Sequence, residues 1–256
     1  IGDVFFVNAE TGLNAAFAAL AAEDINPTIV LQAPVTLTAG DLGGVAANEV
    51  ITIDANGNAI TFGNTDELCV TSVAEGVKLV INDATVNKAN IAPIPYHGEE
   101  LVFDCEVEFN NVTFTTNLQL RMDAVLNDVR IYPEADVYAL YTPNYGQTIT
   151  LNDCEIKGTR GIKICEVGFD GLGYEEGKVT YSINNTIFET TGKKAAVLVR
   201  TAEGADIYWN VNNNIDKVAA DDELPVWLDS EAPSSYTNAV NVYKVDGENK
   251  VLDLSL

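Results

Sequence analysis

Cations are scarce in this sequence: 14 Lys and Arg stand against 38 Asp and Glu among 256 residues, for a formal charge of −24. The acidic residues are scattered rather than gathered in a tail, so the charge belongs to the whole surface. That excludes nucleic acid, whose phosphates need a basic stripe. It also argues against anionic membrane surfaces. Bound calcium is permitted, although the simpler reading is solubility, since net charge keeps an extended β protein from sticking to itself. No other cofactor is implied. A single histidine is too few for a usual zinc site, and Cys69, Cys105, Cys154 and Cys165 form no C-x-x-C pair. In an exported protein they allow two disulfides. Each sits in a strand-like context, which favours buried free thiols acting as small apolar residues. No apolar run approaches the roughly 18 residues of a membrane-spanning helix. No signal-peptide pattern opens the chain, so an exported protein is expected here in its cleaved form.

What is abundant is Val, Ile, Thr and Asn, the residues of strands and turns. They are arranged as a repeat. The stretches "LVINDATV" (79–86), "VEFNNVTF" (107–114), "AVLNDVRI" (124–131), "ITLNDCEI" (149–156), "YSINNTIF" (181–188) and "WNVNNNID" (209–216) share Asn82, Asn110, Asn127, Asn152, Asn184 and Asn212. Each asparagine follows an apolar residue, and the fourth residue after it is apolar in all but the last copy, where Asp216 stands. A weaker copy, "ITIDANGNAITF", occupies 51–62. Successive asparagines are 28, 17, 25, 32 and 28 residues apart. Coils of fixed cross-section with loops of variable length give such numbers, which describes a parallel β-helix. Asn suits a corner because it tolerates left-handed backbone. Stacked coils place the corners about 4.8 Å apart, close enough for side-chain amides to form a hydrogen-bonded ladder. Hairpins are the rival, but they favour Asn-Gly or Asp-Gly turns, and near the C-terminus only "VDGEN" fits.

The ends suit the same fold. Residues 11–23, "TGLNAAFAALAAE", carry Leu13, Phe17 and Leu20 on one helical face with Thr11 as N-cap, which predicts an N-terminal capping helix. The repeat fades after about residue 216, and "VNVYKVDGENKVLDL" (240–254) predicts a C-terminal capping hairpin. The expected architecture is an all-β, single-stranded, right-handed parallel β-helix forming one domain over 1–256. Its cap spans 1–27, its coils 28–216 and its C-terminal cap 217–256.

The helix pattern, "TIVLQAPVTLT" (28–38), "ITIDANGNAITF" and the serial Asn corners together resemble the pectin-lyase-like right-handed parallel β-helix superfamily over about residues 5 to 216. The resemblance is one of fold pattern. It implies an exported or cell-surface protein acting on or near polysaccharides. A hydrolase of that superfamily would show clustered acids, a Gly-His-Gly and an Arg-Ile-Lys. Here the one histidine, His97 in "YHGEE", lacks the first Gly, and "RGIKI" (160–164) has an extra residue between Arg160 and Lys163. A lyase would need a basic residue and a cation to neutralise a uronate. Arg121, Arg130, Arg160 and Arg200 are available, and Arg160, Lys163 and Arg200 fall on equivalent strands, but each also suits a plain surface ion pair. No G-x-S-x-G motif and no Cys–His pairing point to nucleophilic catalysis.

One corner carries longer loops. "PNYGQ" (143–147) and "GFDGLGYEEG" (168–177) bring Tyr145, Phe169, Asp170, Tyr174, Glu175 and Glu176 beside Tyr141. Aromatic faces near carboxylates hold sugars, and function concentrates on loops of rigid scaffolds. These seven residues are therefore the candidate carbohydrate site, against the alternative that the rings pack their own loop. A second loop, 87–100, holds Tyr96, His97, Glu99 and Glu100 and reads as a solvated loop. The expected function is a non-catalytic, exported or cell-surface, glycan-binding or adhesin-like protein. Its expected partner is a polysaccharide or a host or cell-surface glycan. The rivals are a lyase or hydrolase acting on acidic polysaccharide, which would show at least three ionisable side chains on one exposed sheet face, and a ligand-free stalk.

Overall fold

The computed structural model describes residues 4–9, 12, 15–16, 26–37, 48–62, 68–70, 76–88, 101–103, 105–134, 136–143, 146–164, 177–191, 196–199, 204–217, 226–228 and 240–255. These form a parallel β-helix. The described strands fall on three faces. The first face stacks Val4–Val7, Thr28–Leu31, Val50–Asp54, 78–82, 106–110, Ala124–Asn127, Thr148–Asn152, Val179–Asn184, Ala205–Asn210 and Val240–Asp246. The second stacks Val35–Leu37, Ala59–Phe62, 84–88, 112–114, Arg130–Ile131, Glu155–Gly158, Ile187–Thr190 and Asn214–Lys217. Strands Lys78–Lys88 and Glu106–Phe114 run through the corner between them, which joins both faces into one 17-stranded sheet. The third face is a separate seven-stranded sheet that includes Leu118–Leu120, Tyr138–Thr142, Arg160–Ile164 and Val197–Val199.

The corner divides its work between the two residues of the polar pair. The first asparagine stays in the strand and forms the ladder. Asn110 Nδ2 donates to Asn82 Oδ1 at 2.9 Å, Asn127 to Asn110 at 2.7 Å, Asn152 to Asn127 at 2.8 Å and Asn184 to Asn152 at 2.9 Å. The second residue takes the left-handed backbone: φ is 52° at Asp83, 52° at Asn111, 53° at Asp128, 54° at Asp153 and 48° at Asn185. Sequence reading gave both duties to the shared asparagine, and the structure corrects this. The left-handed residue also resets the inward phase: Phe109 faces the core before the turn, and Val112 and Phe114 face it afterwards.

The ladder ends one place earlier than expected. Ile183 pairs with Trp209, so the position after Asn184 falls to Asn210 rather than to Asn212. Asn212 is exposed and donates its backbone N–H to Asn210 Oδ1 at 2.9 Å. The physical reason is a wider turn, closed by Asn213 N–H to Asn210 C=O at 3.0 Å, which inserts one residue between ladder and next strand. At the opposite end Asp54 pairs with Asn82 and caps the column in the same way, accepting from Asn56 N–H at 2.9 Å.

The inner faces enclose a continuous apolar core, and each fully buried Leu, Ile or Phe contributes about 1.5–3 kcal/mol. Phe62, Phe103, Phe109 and Phe114 run edge to face at centroid spacings of 6.0, 5.1 and 5.0 Å. The buried Tyr181 hydroxyl meets Thr142 Oγ1 at 2.7 Å inside the helix. Cys105 and Cys154 are buried free thiols, whereas the Cys69 side chain and Cys165 lie outside the described residues. The C-terminal hairpin is present, with Val240–Asp246 antiparallel to Asn249–Ser255. No helical element is described over 11–23: Gly12, Ala15 and Ala16 are described and helical, and the rest of the expected capping helix lies outside the described residues.

Candidate functional site

Of the seven residues expected at the sugar corner, only Tyr141 is described. It is 1% exposed, and Lys163 Nζ lies 4.9 Å from its ring centroid, so its ring offers no open face. Tyr145, Phe169, Asp170, Tyr174, Glu175 and Glu176 lie outside the described residues, as do Tyr96, His97, Glu99, Glu100 and Arg200. Of the expected basic cluster, Arg160 bonds Asp136 Oδ1 at 2.9 Å and lies 5.4 Å from the Tyr138 ring centroid. The Asp136 bond raises the guanidinium pKa above its ordinary value. Lys163 is buried.

A different group of ionisable side chains does meet on an exposed face. Register on the second face sets Thr113 opposite Arg130 and Arg130 opposite Glu155, with Lys157 opposite Glu189. Tyr132, one step beyond the Ile131–Ile156 pair, stands beside Lys157. Tyr132 donates its hydroxyl to Glu155 Oε2, and Lys157 forms an ion pair with Glu155 Oε1. Lys157 Nζ is 3.8 Å from Glu189 Oε2 and 5.6 Å from the Tyr132 ring centroid. Arg130 bonds Asp128 at 2.9 Å. All of these remain open to solvent, with side-chain exposures from 24% at Glu155 to 42% at Lys157 and 52% at Asp128.

Each pKa direction follows from these contacts. The Lys157 ammonium first, then the Tyr132 hydroxyl, holds Glu155 below the ordinary carboxylate value. Burial, reinforced by Glu155, pushes Tyr132 up to about 12. Along the same outward rows the surface continues as an open polar depression lined by Asn56, Asp83, Thr85, Asn111 and Thr113. Among the described residues no group of three His, Cys, Asp or Glu is placed to hold a metal ion.

Sequence reading missed this group because its contacts between coils join residues 23 to 32 apart, from Tyr132–Glu155 to Lys157–Glu189. A signal was available. Arg130, Glu155, Thr113 and Thr85 each stand two residues after the left-handed member of a polar pair, and Tyr132 and Lys157 stand four after. Counting from that residue gives the outward positions of the second face.

No protein-family model matches the chain, and a search of curated proteins finds no match. The geometry therefore carries the functional argument.

Proposed function

We propose that this protein is a non-catalytic, glycan-binding β-helix of the pectin-lyase-like type, working outside the cell or at its surface. The observation that supports the binding site is the open grid of Tyr132, Glu155, Lys157 and Glu189, extended by Arg130 and the polar depression beside it. Tyr132 supplies partly apolar ring surface, while the fixed carboxylates and ammonium supply acceptors and donors for sugar hydroxyls. Each cation of the grid already holds a carboxylate, and the chain carries −24 overall. A polyuronate would have to displace an ion pair against that field; a neutral sugar would not. The ligand class is thus a neutral glycan.

The grid meets the expectation set above for a lyase or hydrolase, at least three ionisable side chains on one exposed sheet face, but the direction in which its contacts move Tyr132 and Glu155 disfavours that reading. A general base or acid works best with a pKa near the working pH. Tyr132 is moved up and Glu155 down, each away from that range. Incubation with pectins and glycosaminoglycans should give no absorbance from unsaturated products; such absorbance would favour a lyase. Binding is tested on a glycan array with labelled protein. Tyr132→Ala and Lys157→Ala should each weaken the neutral-glycan signals of the wild type by tenfold or more. An unchanged profile in both variants would remove this face from consideration, and an empty array would favour a stalk.

A further inference from the structure

Exposed apolar side chains are few on this protein, and they are not scattered. Among the described residues six large ones are exposed: Val4, Phe6, Met122, Val211, Val251 and Leu252. Four of the six stand on two strands, Val4–Val7 and Asn249–Ser255. Among the described strands each of these pairs on one side only, the first with Thr28–Leu31 and the second with Val240–Asp246. They are the two open edges of the first face. An apolar edge strand is a template on which another chain can pair.

The two edges are complementary in direction, face and length. First-face strands run parallel, but the C-terminal hairpin reverses the last one. Set against Val4–Val7 of a second copy, residues 249–252 therefore form an ordinary antiparallel pair. On the N-terminal edge, register with the buried Ile29 and Leu31 turns Phe5 and Val7 inward, and Val4 and Phe6 outward. On the C-terminal edge Leu252 lies opposite Tyr243 in the outward row. Val251 lies opposite Lys244, in the inward row of Ile183 and Trp209, yet it is 64% exposed. Pairing Val4 with Leu252, Phe5 with Val251, Phe6 with Lys250 and Val7 with Asn249 sets apolar on apolar on both faces. Lys250 does not bar the edge: its Nζ lies back over Tyr208, 4.4 Å from the ring centroid, and its alkyl stem is apolar surface for Phe6. The irregularity at Val242/Tyr243 skips Asp253, so the regular part of this edge is four residues long, the length of Val4–Val7. The rival is pairing of one edge with the same edge of a second copy. That covers one apolar edge and leaves the other open, whereas head-to-tail pairing covers both with a single contact.

We propose that copies of this chain associate head to tail, residues 249–252 of one adding to Val4–Val7 of the next, into rods that continue the first face from copy to copy. Four residue pairs make a small contact, so the association is weak and reversible. The charge of −24 opposes it, and salt relieves that opposition. The contact uses no residue of the Tyr132 grid and stands apart from the ligand reading above.

The test is sedimentation velocity of the 256-residue chain from about 10 μM to about 1 mM, in roughly 0.05 M and roughly 0.5 M NaCl. The weight-average mass should rise with concentration past that of two copies, and rise further in the higher salt. Phe6→Lys blocks one edge and Val251→Lys the other. Thermal unfolding checks that each variant folds, and Val4→Lys or Leu252→Lys replaces one that does not. Lysine lowers the net negative charge, so lost association cannot come from added self-repulsion. Each variant alone should stay monomeric. An equimolar mixture of the two should form a dimer and stop there, because one intact head meets one intact tail. Wild type that is monomeric at about 1 mM in both salts, a wild-type mass that stops at two copies, association of either variant alone, or a mixture that stays monomeric would overturn the head-to-tail contact.

Discussion

Replacing Asn127 by Ala tests whether the amide column holds the coils together. Asn127 is central: it donates to Asn110 at 2.7 Å and accepts from Asn152 at 2.8 Å. The substitution removes both bonds and strands a half-buried oxygen on Asn110 and a half-buried N–H on Asn152. At about 0.5–1.5 kcal/mol per bond, with part of the desolvation of the stranded groups added, the cost is about 2–3 kcal/mol. For a chain of this length that lowers Tm by about 4–12 °C. Asn82→Ala removes one ladder bond and should cost about half as much. Asn127→Asp adds a sign. A carboxylate still accepts from Asn152 but faces the Asn110 oxygen, and it donates only when protonated. Its folded pKa is therefore raised, and its deficit against wild type grows as pH rises through the acid range. Urea unfolding followed by circular dichroism measures all three. If Asn127→Ala costs no more than Asn82→Ala, the ladder is decoration and the reasoning fails.

Other outcomes follow from single contacts. A Cβ on Gly161 would lie 2.1 Å from the Ala196 carbonyl oxygen, which accepts from Ile162 N–H, so Gly161→Ala should cost about 1–3 kcal/mol and lower the unfolding midpoint. Burial pushes the Cys154 thiol up to about 12, so Ellman's reagent at pH 8 should leave it unmodified in the native protein and label it in urea. Glu155 is held below its ordinary value, so its stabilising contribution is present above the unfolded carboxylate pKa and is lost as pH falls through the folded one. Tyr132 is raised to about 12, so its contribution is full below about 10 and is lost as pH climbs toward 12. Comparing unfolding midpoints of wild type, Glu155→Gln and Tyr132→Phe across pH separates these two limbs; identical pH profiles would contradict the contacts.

The coil stack was legible because its signal is local. An apolar residue, Asn, a second polar residue and a resumed apolar phase all fall within eight positions, as at 149–156. Asn212 misled because the same local signal recurs two residues late: Trp209 already occupies the inward position, and the wider turn at Asn210–Asn213 adds more asparagines. The charged grid was hidden for the opposite reason. Tyr132 and Glu155 are 23 residues apart, Lys157 and Glu189 are 32, and only coil register brings them together. The candidate corner was read from loop length and aromatic content, which says nothing about whether a ring is open; Tyr141 is buried beneath Lys163.

Register also explains why some pairs read Asn-Asp and others Asn-Asn. The second members stack outside the ladder in the order Asp83, Asn111, Asp128, Asp153, Asn185. A column of five carboxylates one strand spacing apart would repel itself. Each acid present has a donor instead. Asn111 Nδ2 reaches Asp83 at 2.7 Å, Asn185 Nδ2 reaches Asp153 at 3.1 Å, and Asp128, whose neighbour is another Asp, is met by Arg130 at 2.9 Å. The corner needs two properties at each second position, tolerance of left-handed backbone and a place in a column of alternating donors and acceptors. Asp and Asn share the first property and split the second, so their order along the sequence follows from which coil lies against which. The one coil step with an acid on both sides, from Asp128 to Asp153, is where Arg130 of the exposed charged grid is drawn to the corner. The corner column and the proposed binding face thus meet at Arg130.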